Sequence, residues 1–159
     1  NDKIMEHNTA SACGTWWQIP ECLDGTPRGY AVYEVNGNKV EWYYKGAEYD
    51  RNFQMRVYGI GECEEAPSDI VANVWNYDSK WKVELIEDGK KTADMTQFSG
   101  YDPYTKVLCS DKSKIKYDWI YPTKNDHMFR ATPKNPNAKF QVKVTDRFGN
   151  IYIQDVKNK

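Results

Sequence analysis

Apolar and polar residues alternate with a period of two along much of this chain, which predicts β-strands with one buried and one wet face. The clearest example is the segment 140–145, where Phe140 and Val142 alternate with Gln141 and Lys143. Short strands of this kind, separated by turn residues, are typical of an antiparallel β-sandwich. The predicted strands are residues 30–35, 39–45, 54–58, 70–75, 81–86, 140–145 and 151–154.

The segments between these strands contain the residues that tight turns require. Asn36-Gly37-Asn38 offers the positive φ angles of a two-residue hairpin turn, and Asp88-Gly89 is a second turn of this kind. One segment, residues 103–109, has helical character, with Asp102 as the N-cap and Pro103 in the first helical position. We therefore expect an all-β protein, an antiparallel β-sandwich with little helix.

Charge is distributed unevenly along the chain and suggests two lobes. Residues 1–66 contain 6 Lys/Arg and 11 Asp/Glu, a net of −5, whereas residues 67–159 contain 16 and 12, a net of +4. The change coincides with residues 59–68, which are rich in Gly, Pro and acidic residues. We interpret this stretch as a connection between a first β lobe, residues 1–62, and a second, residues 67–159.

Composition excludes several classes of function. The chain has only two histidines and a net charge of −1, so it offers neither a typical zinc or dinuclear ligand set nor a basic field for nucleic acid. It has no run of about 18 apolar residues and hence no predicted membrane span. Because the chain opens with Asn1 and not with Met, we expect a mature form or an excised fragment.

The cysteines and histidines give no chemical motif. Cys13, Cys22, Cys63 and Cys109 lack the close spacing of metal ligands, and we favour free thiols, with Cys13–Cys22 as the local disulfide candidate in an oxidising compartment. The two histidines, His7 and His127, have no sequence neighbours that indicate catalysis, and we expect both at the surface or at an edge.

The most unusual stretch places Trp16 and Trp17 side by side, shortly before the turn-rich segment from Asp24 to Arg28. Adjacent residues of a strand point to opposite faces, so at least one of the two indoles must be covered by another element or exposed. One interpretation is a loop that faces a substrate or partner with Trp16, Trp17, Asp24 and Arg28. The other, which we favour, is an aromatic core plug beneath an irregular loop.

Aromatic residues make up 14% of the chain and also have two interpretations. They can fill the core of a sandwich, or they can form a flat platform that stacks on sugars. We favour core packing and keep a carbohydrate-binding module as the alternative function. The candidate platform residues are Trp42, Tyr44, Trp75, Trp81 and Trp119.

A series of short motifs carries a family resemblance from about residue 6 to residue 153. It resembles the C-terminal region of calcineurin-like phosphoesterases from Bacteroidetes-type bacteria, which are exported, multidomain proteins. The motifs are, in order, Cys13-Gly-Thr-Trp-Trp17, Asp24-Gly-Thr-Pro-Arg-Gly-Tyr30, Trp42-Tyr-Tyr-Lys45, Gln54-Met-Arg-Val-Tyr58, Ala72-Asn-Val-Trp-Asn76, Trp81-Lys-Val-Glu84, Glu87-Asp-Gly89 and Thr145-Asp-Arg-Phe-Gly-Asn150.

The resemblance implies a division of labour within a larger enzyme. The family's core hydrolyses phosphate esters with two divalent metal ions held by Asp-x-His, Gly-Asp-x-x-Asp, Gly-Asn-His-Asp/Glu and Gly-His-x-His motifs, and this chain contains none of them. We therefore expect no catalysis and no cofactor in this chain alone, and both metal ions in the core. Residues 1–62 resemble strands that trail the core, and residues 67–159 resemble an immunoglobulin-like or fibronectin-like module.

These implications give a functional hypothesis. We expect a non-catalytic accessory domain that braces the catalytic core of the same polypeptide, possesses no membrane span and binds no nucleic acid. Its location, from the resemblance, is the periplasm or the cell surface. Substrate-facing residues, if present, are predicted to be Trp16, Trp17, Asp24 and Arg28. A standalone phosphatase is a further alternative, for which we expect no turnover above background.

Overall fold

The structure, a computed structural model, describes residues 5–157 and is almost entirely β within that range. This confirms the expected all-β class with little helix. In chain order the elements are β1 (Gly29–Asn36), β2 (Lys39–Gly46), β3 (Met55–Tyr58), β4 (Ile70–Val74), β5 (Lys82–Glu87), β6 (Lys90–Asp94), β7 (Thr96–Gly100), α1 (Pro103–Ser110), β8 (Asn125–Ala131), β9 (Phe140–Thr145) and β10 (Ile151–Asp155).

Two four-stranded antiparallel sheets pack face to face around an apolar core. Their strand orders are β10-β9-β5-β6 and β3-β4-β8-β7, and β1 and β2 form a separate two-stranded hairpin. Leu85 and Val142 from the first sheet and Ile70 and Val74 from the second are fully buried in one cluster between the sheets. Alternate residues of strands such as β4 and β9 thus face the other sheet, which confirms the antiparallel sandwich.

Strand β4 is buried on both of its faces. Ile70, Ala72 and Val74 face the core between the sheets, whereas Val71 belongs to a second apolar cluster on the outer face of the same sheet. The next outward position on β4 is Asn73, which is fully buried although it is polar. A second layer of chain therefore covers this outer face.

Part of that second layer is the connection between β3 and β4, which contains the boundary predicted between residues 62 and 67. Cys63 and Ala66 in this connection pack on the outer face beside Tyr58 and Met128. Strands β3 and β4 pair directly, with Arg56 opposite Asn73. The two predicted lobes therefore share one sheet, and the connection covers it.

The predicted hairpin and the predicted helix are both confirmed. β1 and β2 pair in full register up to a turn in which Gly37 has a φ of +59°. α1 begins at Pro103, and the Asp102 side chain caps it by accepting a hydrogen bond from the Thr105 amide at 2.8 Å. The capping carboxylate satisfies an otherwise unpaired helix N–H group.

Strands β6, β7 and β8 were not predicted, and their sequences explain why. β6 reads Lys-Lys-Thr-Ala-Asp and is largely exposed at an edge of its sheet, where charged residues discourage further strand pairing. β7 lies at an edge of the other sheet and pairs irregularly with β8, with a register shift between Phe98 and Gly100. A strand with few apolar residues or a shifted register gives little period-two signal.

Candidate functional site

The segment from residue 22 to residue 28, here called the Asp24 loop, is a tight turn pressed against the outer face of the sandwich. The Cys22 amide donates to the Thr26 carbonyl at 2.7 Å, and the Thr26 amide donates to Asp24 Oδ1 at 2.8 Å. Gly25 has a φ of +88°, and a Cβ on it would lie 2.3 Å from Asp102 Cγ. Glycine is therefore required for this close approach.

Three side chains of the sandwich hold the backbone of the Asp24 loop. Asn73 Nδ2 and Asn125 Nδ2 donate to the Asp24 carbonyl at 3.0 and 2.8 Å. Arg56 Nη1 donates to the Gly25 carbonyl at 3.2 Å. The donors come from β3, β4 and β8, so the loop is fixed to three adjacent strands.

Asp102 lies beneath the loop and connects it to α1. Its Oδ2 accepts from Tyr58 Oη at 2.6 Å and from Asn73 Nδ2 at 2.9 Å, while its Oδ1 accepts from the amide of Thr105. Burial, reinforced by the neighbouring Asp102 carboxylate, raises the pKa of Tyr58 and keeps this hydroxyl protonated as a donor. Asp102 is thus a fully buried acid whose oxygens are occupied by donors.

Arg56 and Glu21 form a buried ion pair beside Asp102. Arg56 Nη2 lies 2.8 Å from Glu21 Oε1, and the guanidinium carbon is 4.3 Å from the centre of the Tyr104 ring. Glu21 is fully buried, and burial raises its pKa to about 7 although Arg56 opposes the shift. A carboxyl group that titrates near neutrality therefore lies next to the loop.

The Asp24 carboxylate faces His127 across the edge of the loop. Asn73 Nδ2 is occupied as a donor, so Asn73 Oδ1 is the atom that meets His127 Nδ1 at 2.6 Å, and His127 must donate from Nδ1. His127 Nε2 then lies 3.5 Å from Asp24 Oδ2. Burial acts to raise the pKa of Asp24, but hydrogen bonds from His127 and the Thr26 amide hold it below its ordinary value.

A cavity of about 310 Å³ opens beside this acid and imidazole. Thr26, Tyr44 and Tyr77 contribute to its walls. The Asp24 carboxylate and the His127 ring present acceptor and ionisable atoms towards it, so the cavity suits a small polar group such as a hydroxyl or an amine.

A second feature, the tryptophan patch, consists of Trp16, Trp17, Tyr117 and Trp119. The exposed fractions of Trp16 and Trp17 are 62% and 75%, which is unusual for indole side chains. Trp16 packs edge-on against Trp119 with ring centres 5.8 Å apart, and Trp119 stacks on Tyr117 at 5.6 Å. Trp16, Trp119 and Tyr117 thus form one aromatic surface, and the exposed Trp17 is the next residue after Trp16.

The backbone beneath the tryptophan patch is strained but well supported. Trp16 and Trp17 have φ angles of +51° and +56°, in the left-handed region that bulky residues seldom adopt. Gln18 Oε1 accepts from the Lys116 amide at 2.8 Å and so joins the two segments that bear the rings. Below them a small apolar cluster comprises Ile19, Cys109, Ile115 and Ile120.

The described part of this chain contains no candidate metal-binding site. Among residues 5–157, no group of three or more His, Cys, Asp or Glu side chains is placed to hold a metal ion. These residues do not fit a dinuclear centre. Over the same range no helix is long and apolar enough to cross a membrane.

Comparison with known families places the chain. The family model described as the C terminal of calcineurin-like phosphoesterase matches residues 6–152. The chain belongs to this family. No curated protein and no solved structure matches it. The motifs quoted above from Cys13 to Asn150 lie within the matched range.

The structure separates the four residues predicted to face substrate in this phosphoesterase region. Trp16 and Trp17 lie together in the tryptophan patch. Asp24 lies at the cavity with His127, and Arg28 forms an ion pair with Glu48 near the surface. The favoured interpretation of the indoles as a core plug is wrong, because both are exposed; the plug beneath them is the cluster around Ile19 and Ile120.

The structure buries most of the aromatic residues that were proposed as a sugar platform. Four of the five are buried and so do not form an exposed flat platform, namely Trp42, Tyr44, Trp75 and Trp81. Trp119 is exposed, but its neighbour Trp16 stands at 86° to it, so the two rings are not coplanar. Core packing explains eight of the 23 aromatic residues, which are buried, whereas eight others are exposed.

Sequence reasoning missed the side chains that hold the Asp24 loop. Asn73 had a usable signal, because it is a lone polar residue in the run Ile70-Val-Ala-Asn-Val74, and a buried amide needs partners. Arg56 gave a similar signal between Met55 and Val57. Asn125 and His127 gave none, since their strand was not recognised.

Proposed function

We propose that this chain is a non-catalytic accessory domain that packs against the metallophosphoesterase core of the same polypeptide, braces it and contributes to the substrate mouth. The observation that carries the proposal is the tryptophan patch. Membership of the family of C-terminal phosphoesterase regions supports the choice of the phosphoesterase core as the partner. The two divalent metal ions and the hydrolytic chemistry belong to that core, and an exported, periplasmic or cell-surface location is part of the same proposal.

The energetic argument rests on the exposure of the patch. Leaving two indoles largely in water forgoes roughly 2 kcal/mol or more of burial free energy for each. A left-handed backbone at a bulky residue costs about a further 1–2 kcal/mol. The burial free energy is not recovered within the described residues, because Trp16 and Trp17 are 62% and 75% exposed. A partner surface that covers the rings recovers the first of these costs.

Asp24 and Arg28 extend the proposal from bracing to the substrate mouth. The Asp24 loop is fixed rigidly to three strands, and its carboxylate is ionised and reaches the cavity. A rigid loop of this kind can position polar atoms at the rim of a neighbouring active site. We propose Asp24 as the residue of this region that approaches substrate most closely, with Trp16 and Trp17 at the interface.

Hydroxyl-radical footprinting of the full-length phosphoesterase tests the interface directly. We expect Trp16 and Trp17 to be oxidised several-fold more slowly than unstructured tryptophan, since the core covers them. Tyr30, which is 51% exposed on the hairpin, is the control and should react at an exposed rate. Oxidation of both indoles at the rate of a free tryptophan peptide would overturn the proposal.

A paired variant gives a functional readout. In the full-length enzyme, Trp16→Ala with Trp17→Ala should increase proteolytic cleavage between the two regions and lower turnover of a chromogenic phosphate ester, whereas Tyr30→Ala should change neither. Unchanged proteolysis and turnover in the double variant would show that the patch does not brace the core.

A further inference from the structure

Cys13 and Cys22 flank the tryptophan turn, on the two arms of a short antiparallel excursion. The Thr15 amide donates to the Glu21 carbonyl at 2.9 Å, and Thr15 pairs with Ile19 in an isolated β-bridge. A Cβ on Gly14 would lie 2.6 Å from the Ile19 carbonyl oxygen and 3.3 Å from the Glu21 carbonyl oxygen, so the Gly14 backbone lies against the segment from Ile19 to Glu21.

Cys13 directly precedes Gly14 and Cys22 directly follows Glu21, so the two thiols adjoin the contact between the arms. A disulfide spans Cα atoms about 4.4–6.8 Å apart, a separation that residues beside such a contact can reach. Both thiols also contact the same residue: Cys13 Sγ lies 2.9 Å from Ser11 Oγ, and Cys22 Sγ donates to the Ser11 carbonyl at 3.9 Å.

We propose that Cys13 and Cys22 are a disulfide site, whose bond closes the loop that presents Trp16 and Trp17. All four cysteines are free thiols in this structure. Cys13 and Cys22 are partly exposed and open to an oxidant, whereas Cys63 and Cys109 are buried. The described residues therefore include one partly exposed pair of thiols and two buried thiols.

The oxidant is a low-molecular-weight disulfide such as oxidised glutathione. The Cys13 thiolate attacks one of its sulfur atoms, which forms a mixed disulfide and releases one thiol. The Cys22 thiolate then attacks Cys13 Sγ and releases the second thiol, so two protein thiols are oxidised and one small disulfide is reduced. Burial raises the pKa of Cys22 to about 11, so closure should accelerate about tenfold per pH unit near neutrality.

The bond would constrain the segment from residue 13 to residue 22 and hold both indoles in place. A disulfide acts chiefly by limiting the unfolded conformations of the loop that it closes. The advantage for docking rests on the proposed function, because it assumes that the tryptophan patch contacts the core. Formation of the bond does not rest on it.

The test uses the full-length protein incubated with oxidised glutathione and then alkylated without reductant. We expect peptide mapping to show a Cys13–Cys22 linkage with the loss of two hydrogen atoms, reversed by dithiothreitol. Cys63→Ser should leave this linkage intact, and Cys13→Ser should abolish it. The rate of closure should increase about tenfold from pH 7 to pH 8.

Three results would overturn the disulfide. They are full alkylation of both cysteines after oxidation, a persistent glutathione adduct on Cys13 without closure, and linkage to Cys63 or Cys109. Footprinting of the oxidised protein separates the two proposals. If the linkage forms while Trp16 and Trp17 remain fully reactive, the disulfide stands and the docking surface fails.

Discussion

The two faces of the β3-β4-β8-β7 sheet are stabilised in opposite ways. The inner face contributes Ile70, Val74 and Phe129 to an apolar core shared with the other sheet. The outer face presents Arg56 and Asn73, which hold the Asp24 loop through hydrogen bonds and buried charges. One sheet thus serves as a scaffold on one side and as a polar docking surface on the other.

This difference shows that one face of the sheet chiefly stabilises the fold, whereas the other fixes the position of the Asp24 loop. Apolar contacts are non-directional and tolerate substitutions that conserve volume, so the inner face supplies stability without fixing any loop. Buried hydrogen bonds are directional, and each unsatisfied partner is costly. The outer face therefore fixes the Asp24 carbonyl and the Gly25 carbonyl at defined places, at the risk of a large loss if one member is removed.

Removal of Arg56 should have the largest effect on stability. Arg56→Leu leaves Glu21 and Asp102 buried without their cation, and breaking a buried ion pair by removing one partner costs about 3–5 kcal/mol. Chemical denaturation would measure this loss in the free energy of unfolding. The control is Arg51→Leu, whose pair with Glu34 is exposed and should contribute about 0–1 kcal/mol. Equal losses in the two variants would show that the outer face is not a coupled network.

A cavity in the inner face should have the next largest effect. Leu85→Ala removes a fully buried side chain of the core between the sheets and should cost about 2–5 kcal/mol by denaturant unfolding. Ile153→Ala, at a 57% exposed position on β10, should change stability by less than about 0.5 kcal/mol. We expect the position of the Asp24 loop to be unaffected in both variants. If Leu85→Ala alone lost the hydrogen-exchange protection of this loop, the inner face would also be needed to fix the loop, contrary to the proposed difference between the faces.

The inner face was largely predictable from sequence, and the outer face was not. Alternation such as Val142 and Val144 against Gln141 and Lys143 depends on burial alone, and burial leaves a local pattern. The hairpin at Gly37 and the Asp102 cap are also local signals. These features gave most strands, the one helix and the sandwich class.

The outer face depends on contacts between residues far apart in the chain. Asn125 Nδ2 reaches the Asp24 carbonyl across 101 positions of sequence, and no local pattern reports such a contact. The exposure of Trp16 and Trp17 was missed for a related reason: their left-handed backbone turns both rings outward, whereas the prediction assumed the opposite faces of a strand. That Trp16, Trp17, Asp24 and Arg28 face substrate stays a prediction, and their separation into two places was visible only in the fold.

The pH dependence of stability sharpens the comparison, because the outer face contains the buried Glu21 carboxyl group. The Glu21 pKa is about 7 in the folded protein against an ordinary 4.5, so between these values the folded state binds more protons. The contribution of Glu21 to the free energy of unfolding is therefore complete below pH 4.5 and decreases as the pH rises to 7. The full decrease is about 3 kcal/mol.

The measurement is the difference in the free energy of unfolding between the natural chain and Glu21→Gln from pH 4 to pH 8. Taking the difference removes the titrations that both chains share, such as that of Asp24, whose lowered pKa acts in the opposite direction at lower pH. A difference that stays constant over this range would mean that Glu21 remains ionised and is fully compensated by Arg56.

Substitution of Trp17 should have the smallest effect on stability, and this tests whether the fold needs the indole. At 75% exposure, Trp17→Ala should change the free energy of unfolding by less than about 0.5 kcal/mol. Trp17→Gly should be about 0.5–1 kcal/mol more stable than Trp17→Ala, because glycine adopts the observed φ of +56° without a Cβ penalty. If these substitutions leave the free energy of unfolding unchanged or increase it, Trp17 does not stabilise the fold, which supports a role in contact with a partner. A decrease of more than about 2 kcal/mol in Trp17→Ala would instead show that the indole stabilises the loop.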